Sequence, residues 1–329
     1  MELSSLGLGT YLGPATAEAD AGYAQAARAF LTAGGTVFDT AANYRGGRSE
    51  RALGAAFAGQ PRSGYFISTK AGYLPMGDGS TGEDPGAWFH RVLEAPGILR
   101  AEEVVDGCHA LAPRYLAHQL GVSLGALGVD AVDLFHLHNP EQQLPHLGPE
   151  AFHARIQQAF EACEGFVAAG KIGAYGVATW NGFRVPPGQP GHLSLERLLL
   201  AAEAVGGAGH HFRWIQLPLN LALPEAFLAP TQAFRGERMT PLQAARAAGL
   251  SVQTSASIMQ ARILSQLPAD LVAALGGATP AQAALQFPRS CPGVTVALCG
   301  MGRPEHVVEN AAVLGLPKVD PALLSGLFG

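Results

Sequence analysis

Eight short apolar runs, each followed by a helical pattern, constrain this chain more than any other feature. The runs fall at residues 6–10, 36–39, 65–70, 132–138, 172–178, 214–217, 250–254 and 294–298. Between and after them lie helical patterns at 19–33, 49–58, 113–127, 150–169, 194–205, 241–248, 280–287 and 304–314. Eight strands each followed by a helix predict a (β/α)8 barrel, a single domain over residues 1–329, whose right-handed crossovers bring every strand's C-terminal end to one face. An open doubly wound sheet is the alternative. It usually needs fewer strands and a glycine-rich turn after the first, and no G-x-G-x-x-G opens a helix here. One connection stands out: residues 71–112 separate the third strand from its helix, and a connection this long reads as a lid, a substrate-binding loop or a partly ordered insertion.

Composition narrows the class of partner. A 48% hydrophobic content supplies a large core, and 21 basic against 26 acidic residues leave a net charge of -5. That balance gives no electrostatic footprint for nucleic acid or an anionic membrane. Cys108, Cys163, Cys291 and Cys299 lie far apart without metal-ligand spacing, so reduced thiols in a cytoplasm are expected. The N-terminus lacks a basic stretch followed by an apolar segment, and no apolar run is long enough to cross a bilayer. Oligomeric state stays open.

Chemistry enters at the strand ends. Strand two ends at Asp39, strand three at Lys70 and strand four at His138. Neighbouring strands lie about 4.8 Å apart, so three consecutive ends bring these side chains within mutual reach. A lysine closing an apolar strand needs a partner, because a buried ammonium is costly unless paired, and Asp39 is the candidate. Tyr44 follows Asp39 on a glycine-rich loop, and Ser49 is the expected N-cap of the next helix. His136 shares a strand face with His138. Such an H-x-H pair can also ligate a metal, which leaves a second reading: a metal-dependent hydrolase with Lys70 and His210 or His211 as further ligands. That site lacks an acid at the end of strand eight, which reads Ala297-Leu298-Cys299-Gly300.

The strings LGLGT, FDTAANY with SERALG, FISTK, DLFHLHNPE, GKIGAYGVATWN, IQLPLN and PGVTVALCGMGRPEHVVEN together resemble the aldo-keto reductases, over nearly the whole chain. The resemblance implies a (β/α)8 barrel and a catalytic tetrad of Asp39, Tyr44, Lys70 and His138. A free phenol has a pKa of about 10 and donates poorly at neutral pH; a nearby Lys70 cation would lower it. Asp39 would hold Lys70 charged, and a neutral His138 would orient the substrate oxygen. The implied activity is NAD(P)H-dependent reduction of a small aldehyde or ketone, or the reverse. A non-catalytic nucleotide sensor, like the family's channel-associated members, is the third reading.

The resemblance also implies cofactor contacts. Gly9, Thr10, Tyr11 and Asp39 come from the first two strand ends, and Thr179 and Gln216 from the fifth and sixth. Gly300, Gly302, Arg303, His306, Glu309 and Asn310 come from the segment after strand eight, where a helix N-terminus favours an anion. Arg303 suits a 2′-phosphate, so NADP(H) is expected over NAD(H). Several positions depart from the family. Its Ser-Asn pair after strand five is Ala178-Thr179, and its nicotinamide-stacking aromatic is replaced by Thr254-Ser255-Ala256-Ser257. Trp180 is a candidate to supply the stacking. His306 stands where many members carry arginine, and Gly300 where many carry a phosphate-binding lysine. Residues 71–112, 139–149 and 183–193 are expected to line the substrate site, with Tyr11, Trp88, Phe89 and Trp180 as candidate apolar walls.

Overall fold

The apolar runs close into a ring, which leaves most of their residues buried. The computed structural model describes residues 1–76 and 83–328. Eight parallel strands form it: β1 (Leu6–Gly9), β2 (Val37–Asp39), β3 (Phe66–Ala71), β4 (Val132–His138), β5 (Ile172–Ala178), β6 (Phe212–Pro218), β7 (Ser251–Ser255) and β8 (Val296–Gly300). They pair in the order β1-β8-β7-β6-β5-β4-β3-β2, a closed barrel rather than an open sheet. Around it lie α1 (Ala17–Thr32), α2 (Arg48–Phe57), α3 (Pro113–Leu127), α4 (Leu144–Ala168), α5 (Leu195–Gly206), α6 (Pro241–Ala247), α7 (Pro280–Ser290) and α8 (Pro304–Ala311). Among the described residues no helix is long and apolar enough to cross a membrane.

Four of the eight helices start on a side-chain cap: Thr16, Ser194, Thr240 and Thr279 each accept a backbone N–H of the first turn. Helix α2 differs from the sequence expectation: its N-cap is Gly47, left-handed at φ 80, and not Ser49. Ser49 is fully buried, so its hydroxyl donates instead to the Thr10 carbonyl at 2.7 Å. The hydroxyl therefore ties α2 to the end of β1. Helix α4 begins six residues earlier than expected, with a kink at Gly148 (φ 73) just before Pro149. A proline that restarts the helix hides the turn preceding it.

The apolar core fills the layer between barrel and helices. Phe30, Phe38, Phe57 and Tyr65 form a chain of rings with centroids 5.7, 5.0 and 4.1 Å apart, from α1 across β2 to α2. Each buried ring contributes about 2–3 kcal/mol relative to exposure.

The described part of the insertion after β3 has structure of its own. It contains a short helix at Pro85–Phe89 that continues into a wider turn at His90–Glu94, and a 3-10 turn at Ala101–Glu103. Leu74, Leu93, Leu99, Ala110, Ala112 and Tyr115 form its separate small core, with Trp88 and Phe89 packed against it. Residues 77–82, within the same expected loop, lie outside the described residues.

Candidate active site

The expected strand-end residues meet on one rim. Lys70 is wholly buried and places Nζ 2.6 Å from Asp39 Oδ2 and 2.8 Å from the Thr40 carbonyl. The same Nζ lies 4.9 Å from the centre of the Tyr44 ring. Tyr44 and His138 meet edge to face with ring centres 5.8 Å apart. Burial lowers the Lys70 pKa, and the paired Asp39 opposes that.

Tyr44 departs from expectation. Its phenol is held well above its usual pKa, first by burial and then by the charge of Asp39 and the phenols of Tyr11 and Tyr73. Burial sets the direction of the shift, while the Lys70 ammonium makes its hydrogen bonds to Asp39 and Thr40 and sits over the ring. The phenol therefore stays protonated at neutral pH. His138 is held neutral, first by burial and then by Lys70, His109 and His136.

Beneath this rim the barrel interior carries a polar network. Asp39 Oδ1 accepts from Ser68 Oγ at 2.6 Å and from Gln216 Nε2 at 2.9 Å. Gln216 Nε2 also donates to Gln253 Oε1 at 2.9 Å, and His136 Nε2 lies 3.2 Å from that same oxygen. His136 thus belongs one layer below His138, committed to Gln253. His210 and His211 precede β6, at the opposite end of the barrel, where His211 Nδ1 lies 2.7 Å from Glu164. The ligand set of the hydrolase reading is not brought together, and no cluster of three or more candidate metal ligands exists among the described residues.

A cleft of about 1380 Å³ runs from this rim to the start of α8. Asp39, Tyr44 and His138 line one end, and Lys70 stays behind them. Gly9, Thr10, Tyr11, Thr179 and Gln216 line its middle. Gly300, Gly302, Arg303, His306, Glu309 and Asn310 line the far end. Arg303 Nη2 donates to His306 Nε2 at 3.0 Å. Asn310 Oδ1 is buried without a partner, although Asn310 Nδ2 donates to Cys299 Sγ at 3.5 Å. An orphaned buried acceptor lining a large cleft fits a ligand that brings an amine donor. Gln216 turns its amide nitrogen inward, which leaves its oxygen for the cleft.

The walls differ from expectation in three respects. Residues 71–112 reach the cleft only through Tyr73 among those described, and residues 139–149 only through Asn139; residues 183–193 do not reach it. Trp88 and Phe89 belong to the insertion's own core, whereas Tyr11 (59% exposed) and Trp180 (44% exposed) do line the cleft. The loop after β7 supplies Ser255, Ala256, Ser257, Ile258, Gln260 and Ala261. Four of its non-glycine residues are left-handed: Ala256 (φ 54), Met259 (φ 48), Gln260 (φ 57) and Ala261 (φ 66). No glycine marks this stretch, so nothing in its sequence signals such a backbone.

His109, which no sequence pattern singles out, also lies beside the site. Its ring lies 2.7 Å from the His138 carbonyl through Nε2, while Nδ1 faces Gln143 Nε2 at 3.1 Å. Nδ1 accepts from that amide, so Nε2 carries the proton and donates.

Residues 5–185 match the model of the Aldo/keto reductase family. The chain is 24% identical over 320 residues to a putative voltage-gated potassium channel subunit beta of Schizosaccharomyces pombe, spanning 87% of this chain and 77% of that protein. It is 31% identical over 150 residues to a D-threo-aldose 1-dehydrogenase of a Pseudomonas species, spanning 45% of this chain and 40% of that one. A crystal structure of an aldo/keto reductase from Klebsiella pneumoniae in complex with NADP and acetate has the same fold, at TM-score 0.66 and 23% identity, over 99% of this chain and 90% of that one. A second structure from that organism, in complex with NADPH, gives 0.64 at 23% identity, over 99% and 91%.

Proposed function

The chain belongs to the aldo/keto reductase family, and from that premise we propose that it reduces an aldehyde or ketone to an alcohol, or runs the reverse, with NADP(H). The observation that carries this reading is one cleft with a phenol, a buried ion pair and a neutral imidazole at one end and a glycine-rich helix entry at the other. The cleft would hold the dinucleotide, whose nicotinamide would supply or accept the hydride. Thr179 and the Gln216 oxygen would hold its carboxamide. Gly300, Gly302 and Arg303 would hold its adenosine phosphate, and Glu309 with the orphaned Asn310 oxygen would hold the adenine.

The chain's own residues then manage the proton. His138, kept neutral, hydrogen-bonds the carbonyl oxygen and fixes its direction. Tyr44, kept protonated, gives its proton to the oxygen as negative charge develops there. Lys70 favours the phenolate left behind through charge near the ring, and Asp39 holds Lys70 in place. In the alcohol-oxidising direction the same phenolate takes the proton back.

Tyr44→Phe keeps the ring and removes the donor. Steady-state kinetics with NADPH and a panel of small aldehydes are expected to show kcat/KM down by about 10² to 10⁴. Binding of NADPH, followed by its fluorescence, is expected to persist. Near-normal reduction by the variant would remove Tyr44 from the role. The channel-subunit relative favours a second reading, a nucleotide-sensing barrel. Single-turnover hydride transfer too slow to measure in the wild type would favour it.

A further inference from the structure

The two expected substrate loops that reach the cleft each contribute one residue, and those two residues are bonded to each other. Asn139 Nδ2 lies 3.1 Å from the Tyr73 hydroxyl oxygen. Tyr73 stands edge-on to His138, with ring centres 5.0 Å apart and planes at 88°. Tyr44 flanks the same imidazole at 5.8 Å. The Tyr73–Asn139 pair is therefore immediate to the carbonyl-binding end.

Hydrogen-bond accounting at this pair leaves a remainder. With Asn139 donating, the Tyr73 O–H still has a proton to give and Asn139 Oδ1 still has lone pairs to offer. With the amide turned the other way, Tyr73 donates to Asn139, and the amide N–H and the phenol oxygen remain. Either way one donor and one acceptor are left side by side on the cleft wall. A substrate hydroxyl needs that combination, since it both donates and accepts. A methyl group in its place would leave both protein groups unpaired.

The pair is also held rigidly. The Tyr73 carbonyl accepts from Tyr115 at 2.7 Å, and His109 packs edge-on to the Tyr73 ring at 5.0 Å while donating to the His138 carbonyl. Asn139 sits in a left-handed conformation at φ 46, with its N–H bonded to Ala178 at 2.6 Å. Burial keeps the Tyr73 phenol protonated. Little ordering remains for binding to supply.

We propose that Tyr73 and Asn139 form a hydroxyl-recognition site beside the carbonyl site, which makes α-hydroxy carbonyl compounds the preferred substrate class. This rests on the carbonyl-reductase reading above. Glycolaldehyde and propanal, which differ by a hydroxyl for a methyl, provide the test. Wild type is expected to favour glycolaldehyde in kcat/KM by about tenfold or more, about 1.4 kcal/mol. Tyr73→Phe keeps the packing of the ring and is expected to lower the glycolaldehyde-to-propanal ratio about tenfold. Asn139→Gly, which tolerates the left-handed backbone, is expected to lower it likewise. A wild-type preference for propanal, or a ratio unchanged within twofold in both variants, overturns the site while leaving carbonyl reduction standing. Turnover of neither aldehyde by wild type overturns the reductase reading and this one with it.

Discussion

Arg303 lines the far end of the cleft with its guanidinium on the His306 ring rather than on a carboxylate. Among the described residues it is the only lysine or arginine on the cleft wall, Gly300 having taken the position where a second would stand. If it reads the 2′-phosphate, Arg303→Ala should weaken NADPH binding about 10- to 100-fold, the loss of a charge-assisted pair worth about 1.5–3 kcal/mol. NADH binding should change little, and titration of both nucleotides against both proteins measures the contrast. Equal losses would mean that Arg303 supports the loop without sensing the phosphate. Asp39, Lys70 and His138 were legible as neighbours because each lies at the end of a recognisable strand and side-chain alternation fixes their face, and Tyr44 because it follows Asp39 on the next loop. Gln253, Ser68 and His109 were not legible: their partners are assigned only when the ring closes and distant residues meet. Ser49 illustrates the same limit, since its type fits both a cap and a buried donor, and burial decides between them.

At the scale of elements, the loop after β7 carries strain that its sequence does not advertise. A left-handed non-glycine residue costs about 1–2 kcal/mol, so four of them persist only because neighbouring contacts fix the path. Gln260→Gly should therefore leave stability unchanged or raise it by up to about 1 kcal/mol, the relief of strain being partly offset by a more flexible unfolded chain. It should also weaken dinucleotide binding severalfold by loosening one wall. Thermal melts and nucleotide titration check the two effects separately, and a large drop in melting temperature would show that the glutamine side chain, not the backbone, holds the loop. Regular elements were easier to read than this. Residues 113–127, 132–138 and 172–178 end where the apolar pattern ends. Boundaries slipped where Gly148-Pro149 breaks a helix, and the hairpin at Gln232–Phe234 and Glu237–Met239 went unread because strands of three residues carry too little pattern.

Across the whole molecule, three buried histidines tie stability to pH. Burial lowers His109 and His136 from 6.5 to about 4 and holds His138 well below its usual value. Each binds its proton sooner in the unfolded chain, so stability is full above about 6.5 and is lost as pH falls from there toward 4. At pH 5 the loss should be on the order of 2 kcal/mol for each of His109 and His136. Chemical denaturation at pH 7.5 and pH 5 measures it, and His109→Gln should flatten part of the dependence; an identical profile in that variant would assign the acid sensitivity to other groups. The barrel itself was legible from the count and order of its strands, since eight parallel strands with helical returns leave few other closures. The buried Lys70–Asp39 pair has a further consequence. The chain has three lysines, and Lys171 and Lys318 lie in the open while Lys70 has no exposed surface. Amine-acylating reagents will mark the outer two within the folded state. Lys70 will react only when the barrel opens, so its acylation, read by mass spectrometry, times that opening from the protein's most guarded ammonium.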